Sequence, residues 1–222
     1  MMPTLEQKIK EYDAIKRTKV PGDVLAVMEG ATEALRASGL GQGAFVTGDQ
    51  FPDFALPDQH GVVRPLSHYL AEGPVVLNIY RGGWCPYCNL EMQALNIALP
   101  EFVKRGVTLL GLTPEMPTTA QDTLTANELA ITVLSDEGNR VSALLGLVFE
   151  LPEVLRPIYE RFGIDIPASN GDDSFTLPVP ATYILGQDRV VRYHFVNVDY
   201  TQRAEPTQLI AELDRLAAAG ML

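Results

Sequence analysis

PVVLNIYRGGWCPYCNLE, residues 74 to 91, passes from an apolar run to a glycine turn and then to both cysteines of the chain. PVVLNIY, 74 to 80, is a continuous apolar segment of strand length, which suits a central strand buried on both faces. Gly82 and Gly83 follow as the turn. Pro86 suits the first position of a helix, where its missing N–H is not needed. Leu90, Met92, Leu95, Leu99 and Phe102 then recur with helical spacing, so a helix is predicted over 86 to 104. Cys85 is thereby the expected N-cap, with Cys88 on the first turn. Both sulfurs would sit near free backbone N–H groups and the positive end of the helix dipole, a setting that favours thiolate. Residues three apart on a helix are neighbours, within reach of a short reversible disulfide.

The rest of the chain continues the alternation of strand and helix, without an internal sequence repeat. VTLLGLT, 107 to 113, is a second buried strand and ITVLSD a third, ending at Asp136. Helices are predicted over 118 to 129, 140 to 147 and 206 to 219. ATYILG and RVVRYHFV form two strands around a turn at Gln187 and Asp188. A short strand pair begins at Phe51, turning at Asp58 to Gly61. The expected fold is α/β: a mixed central sheet with helices on both faces. Residues 148 to 178 interrupt it as an irregular insert, with a helix from Pro152 to Phe162.

Residues 3 to 38 read as two helices split at Val20-Pro21-Gly22, followed by a glycine-rich stretch. The expected organisation is an N-terminal helical extension, 1 to 45, and one domain, 46 to 222. The extension is either a packed appendage or a dimerisation element.

Composition narrows the function. The formal net charge of −11 disfavours a phosphate backbone as partner. No apolar run reaches the ~18 residues of a membrane span. The N-terminus lacks an apolar signal core, so the cytoplasm is the expected location. In a reducing compartment a close cysteine pair points to catalysis or metal binding rather than a staple. Zinc needs four ligands, and the remaining candidates are His60, His68 and His194, without finger spacing. A redox dithiol is therefore expected, with no metal and no organic cofactor.

Three stretches carry a resemblance: GDQFPDFALPDQHG from Gly48, RGGWCPYCNLE from Arg81, and LPVPATYILGQDRVVRYHFVNVDYTQRAEP from Leu177. In this order they resemble the peroxiredoxin-like branch of the thioredoxin-fold superfamily, the alkyl hydroperoxide reductase/thiol-specific antioxidant group. The resemblance covers about residues 46 to 217, and the N-terminal helices look like those of this branch. It implies a thioredoxin-like fold and a thiol-dependent peroxidase cycling between a Cys85/Cys88 dithiol and a disulfide. It also implies a peroxide substrate, a thioredoxin- or glutathione-type reductant, and a possible homodimer. Pro180 corresponds to a cis-proline facing the cysteines, and Arg192 to the arginine beside the reactive sulfur. Arg203 falls at a second, supporting arginine, and Tyr80 and Trp84 flank the turn.

The usual frame Pro-x-x-x-Thr/Ser-x-x-Cys, laid on Cys88, places Arg81 at the proline and Cys85 at the hydroxyl residue. That register favours Cys88 as the attacking thiol. The helix terminus favours Cys85, expected to be the more exposed, which is taken as nucleophile with Cys88 resolving. CPYC also matches glutaredoxins, so the alternative enzyme is a thiol–disulfide oxidoreductase acting on protein or glutathione disulfides. A non-catalytic redox-sensing or iron–sulfur module is the third reading.

Overall fold

The computed structural model describes residues 3–222. Its core is a five-stranded mixed sheet. Three strands are parallel: β3 (Val75–Ile79), β4 (Thr108–Thr113) and β5 (Thr132–Ser135). Two complete it antiparallel: β8 (Ala181–Leu185) and β9 (Val191–Val196). The order across the sheet is β5-β4-β3-β8-β9. All five central strands lie within two residues of the runs that predict them.

Strand β3 shows why its run is unbroken. Leu77 and Ile79 face one core with Phe51, Leu66 and Leu145, while Val76 faces another with Leu95 and Leu209. A central strand with two covered faces has no position left for water-seeking side chains. Its single polar residue, Asn78, is satisfied inside: it accepts from Thr182 Oγ1 at 2.9 Å and reaches Met92 Sδ at 3.6 Å.

Three helices cover one face: α4 (Pro86–Lys104), α5 (Pro117–Ala126) and α9 (Pro206–Ala218). The short helices α3 (Leu66–Leu70) and α6 (Arg140–Leu144) cover the other. A small hairpin, β1 (Ala55–Pro57) with β2 (Val63–Pro65), precedes the sheet.

The extension forms two helices, α1 (Leu5–Lys19) and α2 (Gly22–Ala37). Helix α1 starts with a capping box between Thr4 and Gln7. Glu205, the N-cap of α9, also accepts from the backbone N–H groups of Leu5 at 3.3 Å and Glu6 at 2.5 Å. Ile9 and Tyr12 of α1 pack against the α4 side of the core. Met28 of α2 packs with Leu155, Ile158 and Tyr159 of the insert.

The insert is more ordered than its sequence suggests. Its ends pair as β6 (Val148–Glu150) with β7 (Thr176–Pro178), and between them lie α7 (Arg156–Arg161) and α8 (Ile166–Asn170). The predicted helix from Pro152 is a turn of 3₁₀-helix, Glu153–Leu155, leading into α7.

Two expectations fail on backbone grounds. No cis peptide bond occurs among the described residues, so Pro180 is trans. It is buried directly before β8. Arg192 is at the wrong end of the sheet. It sits in the bulge where Val191 pairs with Leu185, and Leu185 pairs with Val75, the first residue of β3. The cysteine turn leaves the opposite end, after Ile79. Arg192 instead donates to Asp188 Oδ2 at 2.7 Å and to the Met221 carbonyl at 2.5 Å.

Candidate active site

Cys85 is the N-cap of α4, with Pro86 at the first position. Its backbone N–H donates to Gly82 at 3.1 Å, closing the turn that delivers it. This turn requires glycine twice. Gly82 has φ of +142°, in the region L side chains avoid. A Cβ on Gly83 would lie 2.1 Å from Thr123 Oγ1 of α5. The Gly83 N–H donates to buried Glu115 at 3.0 Å, and Glu115 also accepts from Ser169 Oγ of α8 at 3.0 Å. One carboxylate thus ties the turn to the insert.

Both sulfurs are fully buried, each residue 0% exposed, and both thiols are free. The greater exposure expected for Cys85 is absent because α1, α2 and α7 roof the turn. Cys85 makes no side-chain capping bond to the helix N-terminus. Its polar partner is Arg81, whose Nη2 lies 3.1 Å from Sγ.

Arg81 is buried and held on three sides. Its guanidinium lies 4.3 Å from the Tyr200 ring centroid and 5.2 Å from that of Trp84. Its Nη1 reaches Tyr159 OH at 3.4 Å. Such stacking suits a planar, weakly hydrated cation and fixes its fork. Arg203 attends the other sulfur, with Nη2 3.4 Å from Cys88 Sγ. It is buried against Glu91, Nε to Oε2 at 2.8 Å, and its Nη1 also caps the Tyr200 carbonyl.

These surroundings split the two thiols. Burial opposes ionising Cys85, but the hydrogen bond from Cys88 and the charges of Arg81 and Arg203 outweigh it and pull the pKa well below the thiol range. Burial, and the Cys85 thiolate beside it, push Cys88 well above that range. The surroundings thus favour the thiolate at Cys85 and the protonated thiol at Cys88. Burial also lifts the Glu91 carboxyl to about 7, against the pull of Arg203.

Of the residues singled out by sequence, Cys85, Cys88, Trp84 and Arg203 meet here. Pro180 lines a small cavity together with Arg81 and Tyr159. Tyr80 is a core residue; burial raises its phenol pKa, and its ring closes against Gly111. Arg192 has no part in the site, and Arg81 takes the place assigned to it. Arg81, Tyr159, Tyr200 and Glu91 were missed. Arg81 directly precedes the glycines, and an arginine at the mouth of a thiol turn was the available signal.

The alkyl hydroperoxide reductase and thiol-specific antioxidant (AhpC/TSA) family model matches residues 47–194. Chloroplastic peroxiredoxin Q of Triticum aestivum is 26% identical over 179 residues, covering 81% of this chain and 72% of its own. Chloroplastic peroxiredoxin Q of Oryza sativa subsp. japonica is 29% identical over 150 residues, and the chain spans only 58% of its length. Among solved structures, peroxidoxin BcpB from Mycobacterium tuberculosis superposes with a TM-score of 0.61 at 23% identity, over 78% of this chain and 98% of that one. The family match spans the sheet, the cysteine turn and most of β9, and with it this chain belongs to the AhpC/TSA family.

Proposed function

We infer that the chain is a thiol-dependent peroxidase in which Cys85 attacks and Cys88 resolves. The observation that carries this reading is the buried Arg81 guanidinium 3.1 Å from Cys85 Sγ, with Cys88 on the first turn of the helix that Cys85 caps.

The Cys85 thiolate attacks the terminal oxygen of a hydroperoxide ROOH. An S–O bond forms and the O–O bond breaks, so sulfur is oxidised and the peroxide reduced. The leaving oxygen takes a proton and departs as ROH, or as water from hydrogen peroxide. Arg81 stabilises the thiolate beforehand and donates to the oxygens as charge builds on them. Cys88 then attacks the sulfenic acid, a disulfide forms and water leaves. An external thiol of thioredoxin type supplies the two electrons that reopen it. Arg203 holds Cys88 in place and supports its ionisation for that second attack.

The alternative, reduction of protein disulfides, is disfavoured by the buried sulfurs. The closed site suits attack on a small hydroperoxide better than on a protein disulfide, and reduction of the Cys85–Cys88 disulfide by an external thiol requires the roof over the pair to move. Further parts of the reading are the cytoplasm as its place, where thiol reductants able to reopen the disulfide are abundant, and a homodimer, supported by the family resemblance alone. Among the described residues no helix is long and apolar enough to cross a membrane.

Peroxide consumption by purified protein with a thioredoxin system tests the reading, with insulin-disulfide reduction in parallel. The variants fix the order of attack. Cys88→Ser should form a sulfenic acid that dimedone captures, and Cys85→Ser should be inert to peroxide. Dimedone labelling of Cys88 in Cys85→Ser at the wild-type rate would reverse the assignment.

A further inference from the structure

A cavity of about 250 Å³ lies beneath the N-terminal helices, against the cysteine turn. Its inner wall is Arg81, Trp84 and Pro86; its outer wall includes Tyr12 and Lys16 of α1. The outer wall lies outside residues 47–194, so the family match does not account for it. Half of the lining is aromatic, and it carries two cations, Arg81 at the cysteine turn and the Lys16 ammonium on the far wall.

Lys16 is half-buried and forms no ion pair with any described carboxylate. Its Nζ donates to two phenols, Tyr87 OH at 3.3 Å and Tyr200 OH at 3.4 Å. It also lies over both rings, 5.4 and 5.8 Å from their centroids. The nearby carboxylate, Asp13, is engaged elsewhere: it accepts from Tyr87 OH at 2.7 Å and pairs with Arg17 at 3.3 Å. A cation among rings, with phenols as its only hydrogen-bond partners among the described residues, is under-neutralised and suited to take an anion.

Position gives that anion a job. The Tyr200 ring is shared by both cations, with Lys16 5.8 Å and Arg81 4.3 Å from its centroid. Lys16 and Arg81 line the same cavity, and Arg81 in turn touches Cys85, so a molecule the size of one substituted ring held there meets both cations. The volume is just below the roughly 300–1,000 Å³ of common ligand sites, which fits a compact body and not a long chain.

Resting on the peroxidase reading, we propose that this cavity selects compact organic hydroperoxides bearing a carboxylate, with Lys16 as the residue that recognises the carboxylate. The hydroperoxide end faces Arg81 and Cys85, the apolar body packs on Trp84 and the tyrosines, and the carboxylate meets Lys16. The reaction is unchanged: the alcohol that leaves keeps its carboxylate.

The probes are cumene hydroperoxide and its para-carboxy derivative. The chain has one tryptophan, Trp84, so its fluorescence reports single-turnover oxidation of Cys85. Wild type should favour the carboxylate by roughly tenfold in rate constant, a size consistent with one partly desolvated charge pair. The ratio should fall to about one in Lys16→Met. It should survive in Lys16→Arg and in Lys19→Met, which removes an exposed charge from the same helix. A ratio near one in wild type, or a preference that persists in folded Lys16→Met, overturns the assignment while leaving the peroxidase reading intact. A second readout needs no turnover: para-isopropylbenzoate should quench Trp84 in Cys85→Ser, and Lys16→Met should abolish the quenching. Quenching that depends on Lys16 without oxidation of Cys85 by any hydroperoxide would keep the carboxylate site and remove the peroxidase reading. Quenching indifferent to Lys16 would remove the site.

Discussion

Replacing Arg81 by Met removes the charge beside Cys85 and keeps an unbranched apolar stem between Trp84 and Tyr200. Two unit charges 3.1 Å apart attract by about 5 kcal/mol at an effective dielectric of about 20. Arg203 remains, and water fills part of the vacated space, so about 2–3 kcal/mol of selective thiolate stabilisation should be lost. At ~1.4 kcal/mol per pKa unit, the Cys85 pKa should rise by about two units. The transition state also loses a charge-assisted donor, which costs ~100-fold in rate. The assay has two arms: thiolate ultraviolet absorbance against pH, and Trp84 fluorescence after mixing with hydrogen peroxide. Arg81→Lys should recover part of the pKa and little of the rate, because an ammonium cannot reach sulfur and peroxide together. A folded Arg81→Met with an unshifted thiolate titration would refute the assignment.

Arg192→Met should leave single-turnover peroxide oxidation within about twofold and cost ~1 kcal/mol of stability in denaturant melts, from its Asp188 and Met221 contacts; a large rate loss would restore Arg192 to the site. Gly83→Ala should destabilise by about 1–3 kcal/mol, because its Cβ would meet Thr123 Oγ1 at 2.1 Å; thermal melting at wild-type temperature would show that α5 yields. The reduced pair should also write a bell into stability against pH. Cys85, lowered by folding, contributes stability above the unfolded thiol pKa of ~8.5 that is lost as pH falls through its native value. Cys88, raised by folding, contributes below ~8.5 a stability lost as pH climbs. Unfolding free energy of wild type relative to Cys85→Ser/Cys88→Ser should therefore peak near pH ~8.5, and a flat difference would mean that folding shifts neither thiol.

The sheet was legible because burial on two faces leaves a plain mark: runs such as VVLNI and LLGL admit almost nothing polar. The helix after Cys85 was legible from Pro86 and the Leu90–Phe102 stripe. The small β6–β7 pair was not, since its three-residue strands carry no period and lie far apart in the chain. The site was legible only where it is local. Cys85, Cys88 and Trp84 share one turn, but Tyr12, Tyr159 and Tyr200 come from α1, α7 and the loop after β9, and no spacing rule joins them. Arg192 was misplaced because strand register decides which end of a sheet a side chain serves, and a bulge beside Leu185 is not written in RVVRYHFV. Arg81 was hidden by the family frame, which sets a proline there.

Glu205 holds the first N–H groups of α1, and two residues before it Arg203 touches Cys88. One short segment therefore carries both the clasp of the roof and the cation on the resolving sulfur. Whatever free energy the closed roof lends to the dithiol over the disulfide must reappear as a shift of the couple's midpoint potential, about 30 mV for each ~1.4 kcal/mol in a two-electron exchange. The N-terminal helices are in this sense part of the electrochemistry of the pair. Trimming them would retune the voltage at which the protein hands its electrons on, even with every atom of the cysteine turn in place.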